Sequence, residues 1–120
     1  MNTKVVRKNG KTYIEGMQGE MLIRDEQDAV DLIGFCGEHN AQALMLHTEN
    51  LPDRFFDLKS LQAGTILQKF VTYSVRVALL LQTEEAEYGR FCEMVTEANR
   101  STHFRVFRNR EDAEKWLIGD

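Results

Sequence analysis

Proline and cysteine are nearly missing from this sequence: Pro52 stands alone, and Cys36 and Cys92 are the only thiols in 120 residues. Two thiols cannot build a disulfide framework, so a stapled secreted scaffold is excluded and a packed core must do the holding. With no secretory leader pattern either, the sequence reads as cytoplasmic, in a bacterial-type or general cytosol. Long apolar runs are missing too. Nowhere do about 18 apolar residues follow one another, so no segment reads as a membrane span. A basic surplus is also lacking, since 15 Lys and Arg stand against 19 Asp and Glu, a net charge of −4. Phosphate backbones and anionic bilayers both demand excess cations, so neither nucleic-acid binding nor a polybasic membrane anchor is expected. Glycine-rich phosphate loops, dinucleotide fingerprints, nucleophile elbows and strong metal-ligand spacings are absent, and the sequence calls for no cofactor and no metal.

What is present suffices for one globular domain. Hydrophobic residues make up 42% and charged residues 28% of the chain. A chain of this length hides roughly two-thirds of its unfolded surface on folding, so residues 1–120 read as a single α/β domain.

The patterning sets the element order. Lys4–Arg7 and Thr12–Glu15 flank Asn9-Gly10, a dipeptide suited to a type I′ hairpin turn. Met21-Leu22-Ile23 reads as a strand extension or as the approach to a helix. A helix starting near Asp25 places Ala29, Val30, Ile33 and Cys36 on one face, with Gly37 and Asn40 as places to stop. Ala43–Leu46, ending at His47, is a short unbroken apolar run of buried-strand type. A second helix spans about Ser60 to Tyr73, with Ala63, Ile66, Leu67, Phe70 and Val71 as its buried stripe. Val75–Leu81 is the strongest strand. Thr83 opens a third helix, with Tyr88, Phe91, Cys92 and Val95 inward. His103–Phe107 is a further strand, and Asn109 caps a last helix carrying Ala113, Trp116 and Leu117. A hairpin followed by α-β-α-β-α-β-α predicts a mostly parallel sheet of about five strands with four helices.

In such sheets ligands gather at the carboxyl ends of the strands. Those ends carry His47 and Thr48, and the long loop from Thr48 to Lys59 follows them. His47 is the best single acid/base candidate, because imidazole titrates near neutrality; the alternative is a histidine that merely closes a strand. Thr48 is a candidate for phosphorylation. Phe55 and Phe56 are adjacent on a short turn and cannot both point inward, so one covers the core and the other lines a pocket or a partner surface. Asp57 reads as a helix cap or an acceptor for loop amides. Lys69 and Tyr73 share a helix side four residues apart and could form a polar site or a partner anchor. Glu97 opposes the dipole at the end of the third helix, beside Asn99, which hints at a salt bridge to Lys69 or Arg100. Arg105, Arg108 and Arg110 around the last strand read first as charges that block edge pairing.

The segment FFDLKSLQAGTILQKFVTYSVRVALL, with EANR after it and FRVFRNREDAEKWL near the end, resembles the bacterial domain of unknown function family numbered 4180. That resemblance covers most of the chain after the hairpin. The element order is similar to the STAS fold, the sulfate transporter and anti-sigma antagonist type. In STAS regulators a Ser or Thr at a helix start after the central strand is phosphorylated; the corresponding Leu46–Asn50 lacks the usual Asp-Ser-Ser/Thr-Gly pattern. The resemblance implies fold more than switch chemistry. The functional reading is a non-catalytic regulatory module that binds a protein or a small ligand. One-sided helices would leave a sheet face for a second copy, as in a homodimer, or for another protein. The alternative is a small-molecule-binding protein or an enzyme with its site at the His47–Asp57 loop.

Overall fold

The computed structural model describes residues 2–51, 61–81 and 102–119. Asn9 and Gly10 both take positive φ, 54° and 75°, the backbone that a type I′ turn requires. β1 (Thr3–Lys8) therefore folds back on β2 (Lys11–Gly16), with Lys8 opposite Lys11 and Thr3 opposite Gly16. Then follow α1 (Glu26–Glu38), β3 (Ala43–His47), a 3₁₀ turn (Thr48–Asn50) and α2 (Leu61–Thr72). β4 (Arg76–Leu80), β5 (Phe104–Phe107) and α3 (Arg110–Ile118) complete the described elements. The sheet runs β1-β2-β3-β4-β5 in sequence order, antiparallel only between β1 and β2. The expected mostly parallel α/β sheet is thus present.

The helix ends follow the expected chemistry. The Asp25 carboxylate accepts from the Asp28 backbone N–H at 3.0 Å and caps α1, and the Asn109 side chain accepts from Asp112 N–H at 2.8 Å to cap α3. Each bond satisfies a donor that the first helical turn leaves open. α1 gives way after Glu38, with Asn40 at φ 55°, and α3 stops on Gly119 at φ 80°.

Strand alternation splits the core in two. Ile14, Leu44, Leu46, Val77, Leu79, Phe104 and Val106 face α1 and α2, where Leu32, Cys36, Ile66 and Phe70 pack on them. Full burial of a side chain such as Ile66 or Phe70 contributes about 2–3 kcal/mol. Tyr13, Ala43, Met45, Ala78 and Leu80 face the other way, against Ala113, Leu117 and Ile118 of α3. Helices therefore lie on both faces of the sheet, which corrects the expectation of a bare face awaiting a partner. α3 follows the last strand and swings to the side that α1 and α2 leave open.

Three helices lie among the described residues; the one expected from Thr83 falls outside them, as does the short turn that carries Phe55 and Phe56. Of the two readings of Met21-Leu22-Ile23, the approach to α1 holds and the strand extension does not; the Leu22 and Ile23 N–H groups both donate to the Asn50 carbonyl, at 3.0 and 2.9 Å. Val71 lies off the buried stripe of α2 and is 41% exposed. Val30 and Ile33 are only partly covered.

Asn50 ties the carboxyl edge of the sheet together. It is fully buried. Its amide donates to the Met17 and Glu20 carbonyls at 2.8 and 2.7 Å, and its Oδ1 accepts from the His47 backbone N–H at 2.7 Å. A buried amide satisfied on both sides is stabilising; a half-satisfied one would cost more than it gives. The close approach of this side chain needs glycine at position 16. A Cβ there would lie 2.5 Å from Asn50 Oδ1 and 2.7 Å from Leu22 Cδ1. Gly34 in α1 has nothing within 4 Å of an added Cβ. Gly16→Ala should therefore lower the unfolding free energy by about 2 kcal/mol, whereas Gly34→Ala should leave it unchanged or raise it by up to about 1 kcal/mol, both read from urea denaturation midpoints.

Candidate functional site

Residues 13 and 15 of β2 point to the α3 side of the sheet, as do 43, 45 and 47 of β3. The carboxyl end of that face thus brings Glu15 beside His47. His47 is 2% exposed, and its Nε2 lies 2.9 Å from Glu15 Oε2. Arg110, first residue of α3, reaches the same carboxylate with both terminal nitrogens: Nη1 donates to Oε2 at 2.6 Å and Nη2 donates to Oε1. The carboxylate is saturated by two partners in a planar fork, a strong form of charge-assisted bonding.

A second link follows along the helix. Glu114 accepts from the Tyr13 hydroxyl at 2.5 Å and from Lys8 Nζ at 2.6 Å. Arg110 and Glu114 are four residues apart on α3, about 6 Å of rise. Their targets Glu15 and Tyr13 are two apart on β2, about 6.6 Å. Helix and strand run in opposite directions with matching spacing, so both anchors close at once.

The electrostatics follow from these contacts. Burial alone would raise the Glu15 pKa, but the hydrogen bonds from Arg110 and His47 outweigh it and hold the carboxyl down to about 2. Burial and the bond to Glu114 push the Tyr13 phenol above its usual range. Because Glu15 is an ionised acceptor, His47 Nε2 carries the proton that bridges them. In the neutral ring, Nδ1 is then a bare acceptor. It is buried and has no hydrogen-bond partner among the described residues. The Asn50 backbone N–H turns toward the His47 ring in the reciprocal half of a capping box, without closing a bond on Nδ1.

The expected site residues divide accordingly. His47 and Thr48 sit at the carboxyl edge, with Thr48 opening the 3₁₀ turn beside the cluster. His47 does close a strand, as the simpler reading holds, but its ring bonds to a carboxylate and not to a carbonyl. Lys69 and Tyr73 are not part of this assembly: they belong to the α1–α2 side, with the sheet between them and His47. Lys69 pairs with Glu26 at 3.0 Å. Tyr73 is 54% exposed and borders an apolar cleft with Val30, Ile33 and Val75. Phe55, Phe56, Asp57, Glu97 and Asn99 lie outside the described residues. Cys36 is buried, and burial pushes its thiol up to about 11, so at neutral pH it behaves as a small apolar side chain.

Sequence reading missed Glu15 and the role of Arg110. Both left a signal. Glu15 shares the parity of Tyr13 on a strand whose other residues turn inward. Arg110 puts a cation into the first turn of a helix, against the dipole, which calls for a specific acid nearby.

The depressed Glu15 pKa sets a pH dependence. An unfolded glutamate titrates near about 4.3, above the folded value. The stabilisation is therefore complete above that pH and is lost as pH falls toward 2. In acid denaturation followed by circular dichroism, the wild-type chain should lose about 2 kcal/mol more than Glu15→Gln between about pH 5 and pH 2, a figure reduced for the half-open Arg110. At neutral pH, Arg110→Gln should destabilise by about 1–2 kcal/mol, because it leaves a poorly compensated carboxylate.

No helix among the described residues is long and apolar enough to cross a membrane. Residues 8–117 match the family described as a domain of unknown function, DUF4180. Searches of the curated proteins and of the solved structures found no match. With the family's pattern spanning nearly the whole chain, from the end of β1 to the last turn of α3, this protein belongs to the DUF4180 family.

Proposed function

We propose that this chain is a non-catalytic binding module of STAS-like type that takes a small hydrogen-bond-donating ligand at the carboxyl edge of its sheet. The observation that carries this reading is the buried Nδ1 of His47, which has no hydrogen-bond partner among the described residues. Its other ring nitrogen is fixed by Glu15, and Glu15 is fixed by Arg110. A side chain oriented through two successive charge-assisted bonds, with one acceptor left open, is organised to read a donor. The edge where it sits is the one at which parallel sheets bind ligands. The STAS-like assignment rests on the element order: a leading hairpin, then parallel strands added in sequence order. A regulatory role agrees with small size and with a cluster that supplies orientation and no nucleophile.

The test is a thermal-shift screen of polar metabolites on the wild-type chain and on His47→Gln, which keeps a donor toward Glu15. A compound that binds should raise the melting temperature progressively, by the equivalent of about 2.7 kcal/mol at a hundredfold excess over Kd. His47→Gln should weaken that compound at least tenfold. The reading fails if no compound gives a concentration-dependent rise, or if His47→Gln binds the hits as the wild type does.

A further inference from the structure

The opposite edge of the sheet, where β3 and β4 begin, carries an open cleft of about 510 Å³ on the α3 side. That volume lies within the range of about 300–1,000 Å³ in which small-molecule sites fall. Lys11 and Thr12 come to it from the hairpin turn, Asn40 and Gln42 from the approach to β3, and Arg76 from the start of β4. Among the described residues the lining holds two cations, two amides and a hydroxyl, and no carboxylate.

The cations at this cleft differ in state from those that hold the fold together. Arg24, Lys8, Lys69 and Arg110 all pair with acids. Arg76 is half-buried and, like Lys11, has no ion pair among the described residues. Its guanidinium instead lies 4.3 Å from the centre of the Trp116 ring. Arg105, also without an acid partner among the described residues, lies 5.9 Å from the same ring. In a chain with a net charge of −4, two cations line one cleft where no described acid meets them, and a third, Arg105, shares the Trp116 ring with one of them. Burial and the neighbouring Arg105 lower the Arg76 pKa, so the protein holds this charge at a cost. A guanidinium stacked on an aromatic face keeps its in-plane N–H groups available, and that fork matches an oxyanion. The carbonyl end of α3 also borders the cleft and opposes an anion. Lys11 counters it, its Nζ only 3.3 Å from where a Cβ on Gly119 would stand.

We propose that this cleft binds a small molecule bearing a phosphate or carboxylate group, with Arg76 forking the oxyanion and Lys11 adding charge. This site is separate from the one at His47. Trp116 is the only tryptophan and touches Arg76, so its fluorescence reports occupancy. The intact chain is titrated with pyrophosphate and, separately, with citrate, at constant ionic strength. At least one should give a saturable change in Trp116 emission; saturation by pyrophosphate alone assigns a phosphate ligand, and by citrate alone a carboxylate. Arg76→Gln should weaken the effect at least tenfold and Lys11→Gln about threefold, whereas Arg24→Gln should leave it unchanged. The proposal is overturned if neither anion saturates, or if both Arg76→Gln and Lys11→Gln titrate like the wild type. Should Arg76→Gln fail to fold, the exposed Lys11→Gln decides: wild-type titration by that variant overturns the proposal.

Discussion

One carboxylate organises the α3 side of this protein. Glu15 stands at the end of the second hairpin strand, accepts from a buried imidazole on the next strand, and takes a two-pronged bond from the helix that closes the fold. A lone carboxylate in that position would shed its charge, since burial disfavours ionisation. Because both partners approach with hydrogens, the charge is kept. Hairpin, β3 and α3 thereby share one polar joint, and the apolar contacts of Ala113, Leu117 and Ile118 with the sheet assemble in a fixed register around it. Burial of apolar area drives α3 onto the sheet; the joint decides where along the sheet it stops.

The two edges of the sheet use charge differently. At the carboxyl edge every described charge of the cluster is answered from within the chain, and what stays open is a single ring nitrogen. At the amino edge Arg76 is held by stacking on Trp116, which steadies a guanidinium without neutralising it. Internal pairing builds structure, and uncompensated charge beside open volume builds recognition. Function in this fold is therefore sought in what the packing leaves unanswered, and each edge supplies one such group.

Much of the fold was legible in the sequence because local chemistry and tertiary need agree there. Asn9-Gly10 fixes the hairpin, Asp25 and Asn109 fix two helix starts, and the runs at 43–46 and 75–81 have the length and continuity of central strands. His47 was legible as a group of interest from its place after such a run. Its partners were not, since Glu15 and Arg110 lie 32 and 95 residues from the groups they meet or hold, and periodicity carries no information on pairing across such distances. The same limit applies to α3. Its amphipathic pattern shows that it buries a face, but not which side of the sheet receives that face. Asn50 is hidden in the sequence for a different reason: a polar residue in a loop looks solvated until the backbone carbonyls around it are known. Lys69 and Tyr73 have side chains that would suit a polar site, but the sheet separates them from His47.

The central claim is that Glu15 receives the Nε2 proton of His47 and so leaves Nδ1 as an open acceptor. Long-range ¹⁵N–¹H correlation spectra of the histidine rings at neutral pH test it directly. The account predicts a protonated Nε2 and a bare Nδ1 for His47, with a switch toward a freely exchanging tautomer mixture in Glu15→Gln. A proton resident on Nδ1 in the wild-type chain, or a ring indifferent to the loss of the Glu15 charge, would contradict it.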